Sequence, residues 1–226
     1  MNRRHLLALA AAAAVPGAAS PALAWADDAQ LPLAKAFPML DIYLGLPPAE
    51  RSRFYLAYRA VRDKRPAADV RATIVAAGGA RIPVAFDRQG GVIRLPALAD
   101  LKSGAQFEIE GAPFKLFPEI RCAMAPAIRL DPATLILALA QVNAAVAKVA
   151  GALSVMAPKL TAAYFPDAGT GQALLADGRA TPLPVFTAPI FGPIAYFEPA
   201  KAIGAKAVLL TRAPSRILLG GHPKAT

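Results

Sequence analysis

The chain has 226 residues with 25 Lys and Arg against 15 Asp and Glu, one cysteine and two histidines. A single cysteine excludes an intramolecular disulfide, and so few sulfur and imidazole groups exclude a His/Cys zinc cluster within one chain. The 22 prolines are spread without a repeat, which predicts strand ends and turns.

The N-terminus has the layout of a bacterial secretory signal peptide. Arg3 and Arg4 precede the apolar run Leu6–Val15, and Ala24-Trp25-Ala26 follows as a small-residue cleavage site. The apolar run is too short for a membrane anchor, because a spanning helix needs about 20 residues. We therefore expect cleavage near Ala26 and a mature protein in the periplasm or the medium. The sequence is compatible with export by either the general secretory or the twin-arginine route.

Residues 50–125 show the period-2 patterning of β structure. Large apolar residues recur at every second position in parts of Phe54–Val61, Val70–Val75 and Ile82–Phe86, and the last run ends at the turn Asp87–Gly91. Further short runs are Val92–Leu95, Ala105–Glu110 and Phe114–Met124. The pattern predicts a short-stranded antiparallel sheet or sandwich.

Residues 131–157 are predicted to form one long Ala-rich helix. Asp131 is a good N-cap and Pro132 suits the first helical position. An apolar stripe with 4-3 spacing predicts one buried face, formed by Leu135, Leu139, Val142, Val146, Val149, Leu153 and Met156. The central core helix is the simplest interpretation, and a coiled-coil seam is the alternative. The uncharged run Pro132–Ala147 is only 16 residues, so we expect no transmembrane span.

Residues 172–221 again indicate short strands. Ala176–Arg179 is a predicted turn, and Ala207–Arg212 and Ser215–Leu219 are predicted to pair around Ala213-Pro214. The fold class is therefore α+β. We expect one mature domain over residues 27–226, or a β-rich part over 40–125 followed by an α/β part over 131–221.

No charged residue occurs over the 18 positions Ala180–Phe197, and four prolines exclude a helix there. These residues either line the core or form an apolar lip around a site that binds a ligand or another protein. A basic stretch follows, and arginine can hold phosphate or carboxylate bidentately. The ligand-binding candidates are Phe186, Phe191, Tyr196, Phe197, Arg212 and Arg216.

Motifs for catalysis are absent from the sequence, and we expect no catalytic residue, no metal site and no cofactor. After cleavage His222 is the single histidine, the fifth residue from a C-terminus expected to fray. Glu108 and Glu110 share one face of a predicted strand, which is typical of a solvated outer face. An enzyme would have to rely on Asp, Glu, Tyr or Lys.

Cleavage lowers Lys plus Arg from 25 to 23 against 15 Asp and Glu, a net charge of +8. The anions outside the cytoplasm are lipid head groups and acidic polysaccharides, and we expect no nucleic-acid partner there. The sequence therefore favours an exported, non-enzymatic protein that binds an apolar or anionic envelope component such as a lipid. The alternative is an envelope assembly or scaffolding protein that binds another protein through an apolar surface.

Overall fold

The computed structural model describes residues 30–151, 159–188 and 192–222. The predicted signal peptide lies outside these residues. The described chain is α+β, with mostly antiparallel sheets and one long helix, as the sequence predicts. The helices are α1 (Leu33–Ala36), α2 (Leu40–Gly45), α3 (Leu98–Lys102) and α4 (Pro132–Ala150), and short 3-10 turns span Pro48–Arg51 and Pro199–Lys201.

Fifteen short strands are present within the described residues. They are β1 (Gln30–Pro32), β2 (Phe54–Arg62), β3 (Arg65–Pro66), β4 (Arg71–Val75), β5 (Arg81–Pro83), β6 (Gln106–Glu110), β7 (Lys115–Cys122), β8 (Arg129–Leu130), β9 (Ala162–Phe165), β10 (Gly171–Leu175), β11 (Ala180–Pro182), β12 (Val185–Ala188), β13 (Gly192–Phe197), β14 (Ala205–Leu210) and β15 (Leu218–Gly220). Their orders in three sheets are β1-β6-β4-β5, β11-β10-β14-β8 and β12-β13-β9-β15-β7-β2-β3.

The chain divides into two compact units. The N-terminal unit comprises the described residues up to 47 together with residues 56–119. The C-terminal unit comprises residues 48–55 and the described residues from 120 onward. The division cuts through β2 and β7, so it does not coincide with a break between secondary-structure elements.

The core of the N-terminal unit is aromatic. Phe37 makes edge-to-face contacts with Tyr58 and Phe107, with ring centroids 5.0 and 5.6 Å apart. Phe114 extends the cluster from Phe107 to Phe86. The strands predicted over residues 54–61 and 70–75 are confirmed as β2 and β4, but residues 56–61 are all buried and do not alternate between a buried and an exposed face. Edge-to-face packing of this kind adds to the stability that simple burial provides.

A buried ion pair lies in the same unit. Arg59 Nε donates to Glu119 Oε1 at 2.7 Å, and the two side chains are only 2% and 6% exposed. The guanidinium also donates through Nη1 to the carbonyl of Gln89. That carbonyl belongs to the predicted turn, which the structure confirms with a bridge between Phe86 and Val92. Arg59 is one of seven Arg and Lys residues between Arg51 and Arg71, but it lies in the core and not on the surface.

The glycine of this turn is required by its surroundings. Gly90 has a positive φ of 76°, and a Cβ placed there would lie only 2.8 Å from the carbonyl oxygen of Ala60. The Asp87 carboxylate accepts from the amides of Gln89 and Gly91 at 2.7 and 2.8 Å. The turn therefore fits only a small residue at this point.

Helix α4 belongs to the C-terminal unit, where it packs on β14, β9 and the 3-10 turn Pro48–Arg51. The N-cap prediction is confirmed, because the Asp131 carboxylate accepts from the amides of Ala133 and Thr134 at 3.1 Å. The helix ends at Ala150, with Gly151 as the C-cap at a φ of 54°. The rest of the predicted helix falls in 152–158, which lie outside the described residues.

The buried face of α4 differs in part from the predicted stripe. Leu135, Leu139 and Val142 are buried as predicted, but Val146 and Val149 are half-buried. The other buried residues of the helix are Pro132, Ala138, Ala145 and Ala150. The buried face is therefore wider than the predicted stripe, and in the last two turns alanines form it.

The predicted pairing of residues 207–212 with 215–219 is wrong. β14 pairs with β10 and β8, whereas β15 pairs with β9 and β7 in another sheet. Between them the amides of Thr211, Arg212 and Ser215 donate to carbonyls of residues 166–170. These hydrogen bonds hold the connection against the β9–β10 loop, so it does not turn back as a hairpin.

Candidate functional site

The outer face of α4 is apolar and exposed. Ile136 and Leu137 are 44% and 48% exposed. The other members of the outer face are exposed alanines: Ala133, Ala140, Ala144 and Ala147. At 3.6 residues per turn, these six side chains fall within an arc of about 100°. A solvent-facing helix surface normally carries charged residues, whereas none of these six side chains is charged, and Lys148, just beyond the arc, is the one charged residue of α4.

The polar side chains of α4 are engaged within the unit. Gln141 accepts from the amide of Arg53 at 2.7 Å and donates to the carbonyl of Ala49 at 2.8 Å. Asn143 bonds both backbone groups of Leu160, at 2.8 and 2.9 Å. These contacts hold the helix in one rotation about its axis, with the apolar outer face turned to solvent.

Basic residues lie near both ends of the outer face. Arg129 is exposed just before the N-cap residue Asp131. Lys148 lies in the last turn, where its Nζ contacts Glu50 Oε1 at 2.6 Å. Lys159 is exposed and directly precedes Leu160, to which Asn143 bonds. The face is therefore apolar along its length, with exposed cations close to it; carboxylates lie near its ends as well, since Asp131 follows Arg129 and Glu50 pairs with Lys148.

By length and composition, α4 is also the one helix in the described chain that could cross a membrane. In its 18-residue window 39% of residues are buried within the protein. A core helix of a water-soluble protein can meet the same criterion, so this observation adds only that the helix is long and apolar.

The aromatic candidates of 180–197 are placed mostly in the interior. Tyr196 and Phe197 are buried, and Phe186 packs against a cluster that contains Tyr164 and Ile194. The Tyr196 ring stacks on Tyr164 with centroids 5.3 Å apart. Phe191 lies outside the described residues. The described rings therefore contribute to packing, which is the core interpretation of this segment.

The two candidate arginines differ in environment. Arg212 is exposed on the connection between β14 and β15. Arg216 is buried, and its Nη1 donates to Ser215 Oγ at 2.8 Å. The contacts described here do not bring either arginine together with Phe186, Tyr196 or Phe197.

A group of titratable side chains at the end of β13 was not predicted. Glu198 Oε2 contacts Lys201 Nζ at 2.9 Å and His222 Nδ1 at 3.3 Å. His222 was expected to lie in a frayed tail, but this contact places it against the fold. Burial, together with the charges of Tyr196 and Glu198, raises the pKa of the neighbouring Tyr164 far above its ordinary value. Nothing in the local sequence signals this group, because Glu198 and His222 are 24 positions apart.

The paired carboxylates on β6 make structural contacts. Glu108 Oε2 forms an ion pair with Arg81 at 2.5 Å, and Glu110 accepts from Thr73 Oγ1 at 3.1 Å.

Cys122 is buried, and desolvation raises the pKa of its thiol. Within the described ranges no group of three or more His, Cys, Asp or Glu side chains is arranged to hold a metal ion.

Comparison with known proteins adds no relative. No family model matches the chain, and no curated protein or solved structure shows significant similarity to it. Its function must therefore be inferred from its own surface.

Proposed function

We propose that this chain is an exported, non-enzymatic binding protein that contacts an apolar or anionic envelope component, a lipid above all, through the outer face of α4. The observation that supports this proposal is the exposure of Ile136 and Leu137 on a helix face that carries no charge. The binding surface does not require the short strands of residues 50–125 to form a sandwich, which stays a prediction.

The apolar part of the face is suited to reversible contact. Full burial of a Leu or Ile side chain contributes about 1.5–3 kcal/mol. Since Ile136 and Leu137 are about half exposed, covering them contributes roughly 1 kcal/mol each. The four exposed alanines add a smaller amount. The sum supports docking at an interface and is far below what permanent insertion provides.

The cations at the ends of the face select an anionic surface. Arg129 and Lys159 are exposed, and a basic residue near an anionic membrane contributes about 1 kcal/mol. This attraction is screened by salt, because the Debye length is about 8 Å at physiological ionic strength. An amphipathic lipid layer offers both parts of the contact, since its acyl chains cover the apolar residues while its head groups meet the cations.

A second candidate is an assembly or scaffolding protein that uses the same face against another protein. The specific observation in its favour is the row of exposed alanines, Ala133, Ala140, Ala144 and Ala147. Small side chains allow a partner helix to approach closely. This candidate requires saturable binding in the absence of lipid.

Vesicle sedimentation tests the lipid proposal. The purified protein is mixed with phosphatidylglycerol-containing vesicles or with phosphatidylcholine vesicles, at low and high salt. We expect binding to the anionic vesicles that weakens as salt rises. Leu137→Asp should lower the affinity about tenfold or more, because it removes apolar contact and adds a charge of the wrong sign.

The matched control is Ile203→Asp, which introduces the same charge at an apolar residue that is 83% exposed elsewhere in the unit. It should bind vesicles within about twofold of wild type, since two distant surface changes act independently. Equal binding by wild type and Leu137→Asp would reject α4 as the lipid-binding surface. Absence of vesicle binding, combined with lipid-free capture of one protein that Leu137→Asp abolishes, would establish the second candidate instead.

A further inference from the structure

The last described residues of the chain are held at the end of β15 by three contacts. The amide of Thr161 donates to the carbonyl of Gly220 at 2.8 Å. Tyr164 Oη donates to the carbonyl of Gly221. His222 Nδ1 lies 3.3 Å from Glu198 Oε2. Two of these contacts are hydrogen bonds to the backbone, and the third is an ion pair only when the imidazole is protonated.

The Glu198 carboxylate is largely buried, so its environment depends on the charge of the His222 imidazole. Glu198 directly follows β13, and its side chain is only 12% exposed, whereas the His222 side chain is 53% exposed. A carboxylate that is largely removed from water depends more strongly on its remaining counter-ions. Its counter-ions among the described residues are Lys201 and, when protonated, His222.

The other titratable groups around the pair keep one protonation state near neutral pH. The hydrogen bond that Lys201 donates to the Glu198 carboxylate raises the pKa of Lys201, so the ammonium remains charged. Burial raises the pKa of Tyr164, so its hydroxyl remains a donor to Gly221. Tyr196, the remaining ring at the cluster, stacks on Tyr164. Histidine is the side chain whose ordinary titration falls between pH 5 and 8.

We propose that Glu198 and His222 form a pH-sensitive latch that holds the chain after β15 while the imidazole is protonated and loosens it when the imidazole loses its proton. The direction follows from the charges. Protonated His222 attracts the Glu198 carboxylate, and this attraction is lost when the imidazole releases its proton. The sheet pairing of Leu218 and Leu219 with β9 remains, so the latch loosens the chain from Gly220 onward without unfolding the sheet.

Amide hydrogen exchange provides the test. Exchange of residues 218–222 is measured at pH 5.5 and 8.0 and corrected for the intrinsic dependence of exchange on pH. We expect local opening in wild type to increase about two- to fivefold at the higher pH, the range for a partly exposed ion pair. The increase should disappear in Glu198→Gln and in His222→Gln.

Lys201→Gln is the matched control, because it removes the other counter-ion of Glu198 without removing the imidazole. It should raise opening at both pH values and keep the dependence on pH. A wild-type protein with no pH dependence would overturn the latch, and so would a dependence that persists in His222→Gln. The two single variants each remove one partner, so a folding defect in one of them leaves the other as a complete test.

Discussion

Loss of the buried cation at Arg59 should strongly destabilise the protein. Arg59→Met removes the guanidinium that lies 2.7 Å from Glu119 and leaves a carboxylate in a site that is 6% exposed. Breaking a buried ion pair by removing one partner costs about 3–5 kcal/mol. The substitution also removes the donor to the Gln89 carbonyl. We therefore expect the loss in the free energy of unfolding to lie at the upper end of that range.

The double variant Arg59→Met/Glu119→Leu separates the two contributions. Replacing a buried ion pair by apolar residues of similar volume is often neutral, so the double variant should be more stable than Arg59→Met alone. The interaction energy from the cycle should then be several kcal/mol, since the two side chains are in direct contact. The loss of the hydrogen bond to Gln89 remains in both variants.

Urea unfolding followed by circular dichroism measures these free energies. Arg62→Met is the control on the same strand, where Arg62 pairs with Asp69 at 2.9 Å and also donates to the carbonyls of Ala112 and Pro113. The Asp69 side chain is 74% exposed, and an exposed pair contributes about 1 kcal/mol or less, so this variant should lose clearly less stability than Arg59→Met. If Arg59→Met also lay within about 1 kcal/mol of wild type, the buried pair would not be a major determinant of stability.

Three other predictions concern α4 and the N-terminus. Val142→Asp should destabilise far more than Val146→Asp in thermal melts, because Val142 is buried and Val146 half-buried; equal losses would contradict this packing. Hydrogen bonds from the Thr134 side chain and the helix amides lower the pKa of Asp131 below its ordinary 3.8. The ionised carboxylate therefore contributes to folding stability above pH 3.8, and this contribution is lost as the pH falls through the lowered pKa. Asp131→Ala should therefore cost about 1 kcal/mol at pH 7 and less at pH 3, by melting temperature. Intact mass of exported protein should show cleavage after Ala26, and a retained leader would contradict it.

The sequence was sufficient to predict the elements that depend on contacts between neighbouring residues. Three such elements are the N-cap residue Asp131, the turn Asp87–Gly91 and the strand β2. Each depends on residues within a few positions of one another. Backbone hydrogen bonds and φ preferences operate over the same distance. For this reason, the α+β class and the start of the long helix were predictable.

The sequence predicted the apolar outer face of α4 only in part. The uncharged run Pro132–Ala147 is a property of the sequence, but its exposed side is set by the contacts of Gln141 and Asn143 with distant backbone groups. The same holds for the half-burial of Val146. A helix pattern identifies a stripe, and only tertiary packing decides which side of it faces solvent.

The sequence by itself determined the secondary-structure class, the uncharged run Pro132–Ala147 and the scarcity of histidine and cysteine. The tertiary structure decided the burial of Arg59 against Glu119, the separation of β14 from β15 into different sheets, and the contact of His222 with Glu198. Each of these joins residues far apart in the chain or depends on which strands become neighbours. Composition and periodicity describe one segment at a time, whereas ion pairs and sheet order depend on how the segments pack together.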